Sequence, residues 1–204
     1  DPAVRDAAAA GLARLGDSQS LDRLFASLAS EDPAVRLKAV ESLSEAGTPA
    51  VVEKLRPLAE DNVSNVRAEA MEALGASGST LVLPLLVAGA EDQNERVRAK
   101  AVSAMGRLRQ PAAAQYLEEA RKKAPNVYME LLAVAGLARL GEPVDNSAAR
   151  RALYQSDADT KLLAVEVLEA AAARGRAKGL AKDEKAALED LETAMEAAEM
   201  KVRV

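Results

Sequence analysis

The sequence contains no cysteine, no histidine and no tryptophan. Their absence excludes disulfides, thiol nucleophiles, imidazole bases and the usual structural zinc sites. Aromatic residues are also rare, with three tyrosines and one phenylalanine in 204 residues. Alanine, leucine and valine supply most of the apolar content, which favours closely packed helices over a sheet. We therefore expect no catalytic centre of the common types, no metal site and no cofactor.

A surplus of basic charge and a long apolar run are missing too. The net charge is −5, whereas nucleic-acid binders normally carry a basic surface, so nucleic acid is a disfavoured partner. No apolar run approaches the roughly 20 residues that cross a bilayer. The sequence begins with Asp1 and not with methionine, so we expect it to be part of a longer chain. Nothing in it indicates a cellular compartment.

The chain is built from an internal repeat. The stretch DPAVR at Asp1–Arg5 returns unchanged at Asp32–Arg36, 31 residues later, and in that register the units start near residues 1, 32, 63, 94, 126 and 157. The eighth position is alanine in every unit, namely Ala8, Ala39, Ala70, Ala101, Ala133 and Ala164. Apolar residues at the fourth, ninth and twelfth positions share its helical face. Because a methyl group is small, this stripe predicts a helix that a neighbouring helix approaches closely.

Each unit also has a second helical segment and marked helix ends. Leu21, Leu24 and Leu28 recur as Val52, Leu55 and Ala59, and then as Leu83, Leu86 and Ala90. Candidate N-caps precede the first helices at Asp1, Asp32, Asn94, Asn126 and Asp157. Glycines that suit a left-handed helix end follow at Gly16, Gly47, Gly78 and Gly141. Each unit is therefore predicted to be a helical hairpin that covers its apolar stripe by stacking on its neighbours.

The sixth unit departs from the pattern after Leu168. We predict the repeat array over 1–172 and a loop over 173–183, where Gly175 and Gly179 disfavour a helix interior. The alternative is that the first helix of this unit runs longer. Residues 184–204 are predicted to form an acidic amphipathic helix that caps the stack with a polar face.

The 31-residue step and the pattern DPAVR followed by paired alanines and a closing LG resemble HEAT repeats of the short, phycobilisome-lyase-like bacterial type. The resemblance covers about residues 1–172. It implies an all-α fold, a right-handed α-solenoid (superhelix) of about six helical hairpins with a C-terminal capping helix. It also implies that the second helices line the concave face, and that the array serves as a binding platform.

The second helix of the third unit, STLVLPLLVAGA, stands out because it carries no charge. We predict that it places an apolar patch on the face formed by the second helices, surrounded by a polar rim, which is typical of a protein-binding surface. The candidate partner-binding residues, patch and rim together, are Phe25, Arg56, Leu85, Val87, Ala88, Glu118 and Arg150. The alternative is that this helix is plain core, and for Val82 we favour the core.

A basic residue follows the fourth position in most units. The series is Arg5, Arg36, Arg67, Arg98 and Lys161, with Glu130 interrupting it. We interpret it as a structural ladder, in which each arginine bonds a capping aspartate such as Asp1 or Asp32, or a helix-end carbonyl, in the same or the adjacent hairpin. The alternative is a row of positive charge that follows the phosphates of a nucleic acid.

These observations predict a non-enzymatic protein–protein interaction scaffold that binds a protein or peptide on the concave face. Two alternatives stay open. One is a HEAT-type lyase or other enzyme subunit whose chemistry another chain completes, although a sequence without histidine and with few aromatic residues offers little for handling a tetrapyrrole. The other is nucleic-acid binding along the arginine ladder.

Overall fold

A computed structural model describes residue 11 and residues 17–46, 51–155 and 157–178 of the chain. Within these ranges the regular structure is entirely helical. The α-helices are α1 Ser18–Ser27, α2 Pro33–Ala46, α3 Val52–Leu55, α4 Ser64–Ala76, α5 Leu83–Gly89, α6 Glu95–Arg107, α7 Ala113–Lys122, α8 Val127–Leu140, α9 Ser147–Gln155 and α10 Ala158–Lys178. Two short 3₁₀ segments adjoin them, since Arg56–Glu60 continues α3 and Thr80–Val82 leads into α5.

The helix starts reproduce the repeat. Helices α2, α4, α6, α8 and α10 begin at residues 33, 64, 95, 127 and 158, each one residue after the predicted start of its unit. The predicted all-α fold and its pairing of helices are therefore confirmed in the part of the chain that the structure describes. Predictions that concern residues 1–10 and 179–204 lie outside the described residues, among them the capping helix over 184–204.

The chain divides into two compact units, one ending at Ala113 and the other beginning at Ala114. In the first unit, α2 packs against α4, and α4 packs against α6. Helix α5 lies against α4 of its own hairpin and against α6 of the following one. A second helix thus covers apolar surface of two successive hairpins, which is why no hairpin of this kind buries its core alone.

The second unit repeats this arrangement. Helix α8 packs against α10, and α9 lies against both of them. Their shared core includes Leu131, Val134 and Ala135 of α8, together with alanines of α9 and Val167 and Leu168 of α10. Nearly every side chain from Leu131 to Ala138 is buried, because α8 is apolar on all sides and such a helix is stable only when it is surrounded.

The alanine stripe is buried. Ala39, Ala70, Ala101, Ala133 and Ala164 are at most 3% exposed. The neighbouring stripe positions in the described residues are also buried, except Val35 and the partly buried Val165. Val35, predicted to lie in the core at the fourth position, is 41% exposed and lines an open groove of about 260 Å³ beside Leu24 and Lys38.

Two glycines show how closely the helices approach. A Cβ atom added to Gly75 in α4 would lie 2.5 Å from Cβ of Ala104 in α6. A Cβ added to Gly89 in α5 would lie 2.5 Å from Sδ of Met71 and 3.1 Å from Cβ of Ala101. Since real side chains do not pack at 2.5 Å, these positions admit no residue larger than glycine without movement of a neighbour.

The predicted N-caps form as expected wherever the structure describes them. The side chain of Asn94 accepts hydrogen bonds from the amides of Arg96 and Val97 at 3.0 and 3.4 Å. That of Asn126 accepts one from the Met129 amide at 2.9 Å. Two aspartates do the same, since Asp32 accepts from the Ala34 amide at 2.8 Å and Asp157 from the Thr160 amide at 3.0 Å. These bonds satisfy amides that the first helical turn leaves free.

The predicted left-handed residues follow α4 and α8. Gly78 has a φ angle of +64° and Gly141 one of +85°. Arg109 occupies the same register position after α6 and also adopts a positive φ, of 52°. An arginine in this conformation brings its Cβ against the following carbonyl, which glycine avoids.

The loop predicted over 173–183 is wrong for its first part, because α10 is helical as far as Lys178. The alternative, a longer first helix, describes 173–178 correctly. The run of alanines at 171–173 favours a helix strongly enough to offset the cost of about 1 kcal/mol at Gly175. No helix in the described ranges combines the length and the apolar character that crossing a bilayer requires.

Candidate partner-binding surface

The uncharged second helix of the third unit exposes an apolar face. Leu81 is 67% exposed, Pro84 and Ala88 are exposed, and Leu85 is half-buried. These four residues, which we name the α5 stripe, follow one another at intervals of one or three positions and span eight residues, so they share one side of the helix. Val87, the remaining predicted patch residue of this helix, is half-buried beside them.

The opposite side of the same helix is firmly anchored. Val82 and Leu86 are fully buried and Leu83 is 8% exposed. The helix therefore has a core side and a solvent side, and the prediction of a partner-binding patch concerns the solvent side. Val82 belongs to the core, as favoured from the sequence. The buried residues on the core side hold the helix, and with it the α5 stripe, in a fixed position.

Uncharged residues continue the stripe along the second helices of the first compact unit. Ala26 and Pro57 occupy the register position of Ala88 in the two preceding repeats, and both are exposed. Phe25, the predicted extension of the patch, is half-buried, and the ammonium nitrogen of Lys54 lies 5.6 Å from its ring centroid. At this distance the cation is attracted to the ring face.

Charged side chains border this region in the first unit. Arg56, a predicted rim residue, is exposed and pairs with Glu53 at 3.4 Å. Exposed pairs of this kind contribute little to stability, and both partners stay accessible to solvent. An apolar centre with exposed charges beside it is the composition of a protein-binding surface.

The other two predicted rim residues, Glu118 and Arg150, lie in the second compact unit. Glu118 lines a cleft of about 510 Å³ whose apolar wall includes Val134 and Leu137 of α8. Arg150 lines an adjoining cleft on Asn146 and the 143–145 segment, and that segment forms a wall of both clefts. The structure therefore brings Glu118 and Arg150 to the same α8–α9 connection.

The charges of the first of these clefts are held in place. Arg121 donates two hydrogen bonds to the Glu118 carboxylate, at 2.6 and 2.8 Å, and this arginine holds the pKa of Glu118 below its usual value. The pKa of Asp145 is lowered as well, because the hydroxyl and amide of Ser147 both donate to its carboxylate. Both acids are therefore ionised near neutral pH.

The arginine ladder is formed by forked contacts between successive hairpins. Nε and Nη2 of Arg36 donate to the two carboxylate oxygens of Asp61, at 2.7 and 2.9 Å. Arg67 holds Asp92 in the same way, at 2.8 and 3.0 Å. In both pairs the aspartate follows the arginine by 25 residues. Planar two-pronged contacts of this kind are strong and specify orientation.

Each ladder arginine also bonds carbonyls of the turn before its own helix. Nη1 of Arg36 donates to the carbonyl of Ser30 at 2.8 Å, and Nη1 of Arg67 donates to that of Asp61 at 2.8 Å. The forked pairs are largely buried, since the Arg36 and Asp61 side chains are 12% and 7% exposed. These are the contacts of a structural role, and they occupy guanidinium groups that a phosphate would need.

Hydrogen bonds from their partners lower the pKa of both ladder aspartates. Burial by itself would raise the pKa of Asp61, but the hydrogen bonds from Arg36 and from the Val63 amide outweigh it and lower that pKa. The forked contact with Arg67 is the main cause of the lowered pKa of Asp92. The Asn94 amide also donates to Asp92, at 2.7 Å. Each aspartate therefore joins two hairpins and orders the turn that precedes a helix.

Sequence reasoning missed Asp61 and Asp92 because it assigned the arginines to the capping residues. The capping Asp32 holds its own helix start, and the carboxylates that meet the arginines lie three residues before the first residue of the next hairpin's first helix. Their recurrence 31 residues apart was the available signal. Lys161 lies half-buried in the first turn of α10, and Asp1 and Arg5 lie outside the described residues.

In the described part of the chain, no group of three or more acidic, histidine or cysteine side chains is arranged to hold a metal ion. The acidic run at 91–95 is instead used for structure, since Asp92 receives Arg67 and Asn94 caps α6.

The repeat places the chain in a known family. Residues 1–75 and 60–138 match the family model described as HEAT repeats, and these two matches together span more than half of the sequence. The chain belongs to the HEAT-repeat family. The matched residues include the α5 stripe and the ladder arginines. Helices α9 and α10 lie beyond the matched residues, although α10 starts in register with the repeat.

The chain was also compared with individual proteins. No curated protein matches the chain. Among solved structures, the complex of CpcE and CpcF of phycocyanin lyase from Nostoc sp. PCC7120 is similar, with 19% sequence identity and a TM-score of 0.46 over 95% of this chain and 90% of that one. A likeness of this degree says nothing about the activity of this HEAT-repeat chain.

Proposed function

We propose that this chain is a non-catalytic interaction scaffold that binds another protein on the face formed by its second helices, which in HEAT-repeat arrays is the concave one. The α5 stripe is the centre of that contact. The partner contributes an amphipathic segment whose apolar side docks on Leu81, Leu85 and Ala88, as amphipathic helices dock on apolar grooves elsewhere.

The observation that carries the proposal is the exposure of Leu81 on a helix whose other side is buried. Stability of the fold explains the burial of Val82 and Leu86, but it does not explain a leucine that is 67% exposed beside an exposed proline and alanine. In the equivalent helix of the preceding repeat, this surface carries Glu53 and Lys54. An uncharged face at one repeat, bordered by charge at another, is the pattern of a docking site.

A pair of surface variants tests the proposal without disturbing the core. Leu81→Asp combined with Ala88→Asp places two charges on the stripe, and both side chains are exposed, so the fold is expected to be unaffected. Leu162→Asp is the matched control, because Leu162 of α10 is 70% exposed and lies outside the stripe. Circular dichroism establishes that each variant is folded, and affinity purification from the source cells then measures partner recovery.

Recovery of a partner by the wild-type chain and by Leu162→Asp, together with its loss from the stripe variant, supports the proposal. We expect at least a tenfold loss, since burying a carboxylate in an apolar contact is costly. Equal recovery by the stripe variant and the wild type would show that the partner binds elsewhere.

A further inference from the structure

The ladder arginines hold their guanidinium groups in one repeated pose. Nη1 of Arg36 donates to the carbonyls of the residues six and five positions before it, at 2.8 and 3.1 Å. Nη1 of Arg98 makes the same two contacts, with the carbonyls of Asp92 and Gln93 at 2.8 and 2.9 Å. These bonds fix the plane of the guanidinium group. We therefore expect the Nε–Nη2 edge of Arg98 to have the same orientation relative to its helix as the corresponding edges of Arg36 and Arg67.

That edge is filled in two of the three cases. Asp61 occupies it on Arg36 and Asp92 occupies it on Arg67, in both cases with one carboxylate oxygen on Nε and the other on Nη2. The residue 25 positions after Arg98 is Lys123, whose side chain cannot accept a hydrogen bond. Among the residues that the structure describes, none bonds Nε or Nη2 of Arg98.

We propose that the Nε–Nη2 edge of Arg98 is a binding site for a carboxylate, supplied by an aspartate or glutamate of a partner protein. The molecule itself defines the chemistry, since it fills the same edge twice with a carboxylate. The guanidinium is always charged and already oriented by its two carbonyl contacts, so a ligand does not have to order it. This site is separate from the α5 stripe and does not depend on it.

A carboxylate is favoured over a nucleic-acid phosphate for a geometric reason. A carboxylate presents two oxygens in one plane, which matches the two parallel N–H groups of the edge. Phosphate binders among nucleic-acid proteins also gather several basic groups along one surface. At Arg98 the two neighbouring ladder arginines are already neutralised by Asp61 and Asp92.

The test uses as its probe a peptide that contains Asp61, the residue that fills the same edge on Arg36. The probe is an acetylated, amidated peptide with the sequence of residues 61–66, DNVSNV, whose one carboxylate is that of Asp61, and the control peptide has asparagine in its place. Binding is read from the Nε–H NMR signal of Arg98 in the whole chain. We expect this signal to shift with a dissociation constant on the order of 1 mM, while the signals of Arg36 and Arg67 stay unchanged.

Variants separate a fork from a simple positive charge. Arg98→Gln and Arg98→Lys are each expected to weaken peptide binding at least about tenfold, because lysine keeps the charge but not the planar fork. Arg96→Gln, an exposed arginine two residues earlier on the same helix, is the matched control and is expected to bind as the wild type does. Since Gln and Lys remove the Arg98 signal, binding to the variants is followed on the backbone amides of residues 92–98.

Four results would overturn the assignment. The first is that the Arg98 signal does not shift at a peptide concentration about ten times the expected dissociation constant. The second is that the asparagine peptide binds as tightly as the aspartate peptide. The others are that Arg98→Lys binds the peptide as tightly as the wild type, or that Arg96→Gln weakens binding as much as Arg98→Gln does. Stronger binding of dimethyl phosphate than of acetate at the same ionic strength would favour nucleic acid and would equally contradict the carboxylate site. Because none of these readouts involves Leu81 or Ala88, they are independent of the test of the α5 stripe.

Discussion

Nε and Nη2 of Arg67 in α4 donate hydrogen bonds to the two carboxylate oxygens of Asp92, at 2.8 and 3.0 Å. Asp92 lies just before the first helix of the next hairpin. The contact joins two repeats across the ladder and is largely buried, with side-chain exposures of 18% and 14%. Removing the arginine leaves Asp92 without its forked partner in a poorly hydrated position, which costs more than the loss of an exposed pair.

We therefore expect Arg67→Ala to lower the free energy of unfolding by about 2 kcal/mol. Arg98→Ala is the matched comparison, because Arg98 makes carbonyl contacts of the same kind but no forked contact with any residue that the structure describes. Its cost is expected to be about 1 kcal/mol. Urea denaturation of the two variants measures both values. Equal losses would mean that the carbonyl contacts, and not the aspartate, carry the stabilisation.

The same pair gives the stability a defined dependence on pH. The folded-state pKa of Asp92 lies below its ordinary value of 3.8, with the contact from Arg67 as the main cause. A lowered carboxyl pKa contributes stability that is present above the unfolded-state pKa and is lost as the pH falls towards the folded-state pKa. The difference in unfolding free energy between wild type and Arg67→Ala is therefore expected to be constant from pH 7 to pH 5 and to shrink below about pH 4. The part of the difference that comes from the bond between Arg67 and the Asp61 carbonyl is expected to remain in acid. A difference that shows no decrease at all as the pH falls from about 5 to about 2 would contradict a contribution from the ion pair.

The left-handed position after α6 offers a stabilising substitution. Arg109 has a φ angle of 52°, whereas the equivalent position after α8 is Gly141, at 85°. We expect Arg109→Gly to raise the unfolding free energy by about 1 kcal/mol, because glycine adopts this conformation without the Cβ contact.

Gly141→Ala is the reverse experiment and is expected to cost about 1 kcal/mol. Since nothing lies within 4 Å of a Cβ added there, any loss reflects backbone conformation and not crowding. Thermal or urea denaturation measures both changes. A loss of stability in Arg109→Gly would indicate that the arginine side chain makes a compensating contact.

Close helix packing predicts an order of cost for two glycine substitutions. Gly75→Ala would set a methyl group 2.5 Å from Ala104 Cβ and 3.1 Å from its Cα, and neither atom moves without the helix. Gly89→Ala meets the flexible side chain of Met71 first. We expect Gly75→Ala to cost about 2 kcal/mol and Gly89→Ala less than about 1 kcal/mol, since overpacking is cheaper where a side chain can move. The reverse order in urea denaturation would contradict this packing.

The repeat made much of the fold predictable from the sequence. Helix starts, caps and the alanine stripe follow from local rules that recur at every copy, so each copy supports the others. The exposure of Leu81 beside the buried Val82 was less accessible, because both are apolar and adjacent. Which of them faces solvent depends on how the 3₁₀ segment Thr80–Val82 enters α5.

Contacts between hairpins were the least predictable feature. The sequence identifies Arg36 and Arg67 as a series, but choosing Asp61 and Asp92 over Asp32 as partners requires the offset between successive hairpins. The pattern of residues within one hairpin does not determine how far the next hairpin is displaced from it. The helical path through Gly175 was similarly decided by a balance of small propensities, which made the loop and the longer helix close alternatives.

The most direct test of the proposed scaffold function is site-specific photo-crosslinking. A photoreactive phenylalanine analogue replaces Leu81 in one sample and Leu162 in another, and both chains are irradiated in the source cells. Both positions are exposed, at 67% and 70%, so both react with whatever lies nearby. We expect a discrete crosslinked protein from position 81 and none from position 162. The same products from both positions, or none from position 81, would contradict a binding surface on the α5 stripe.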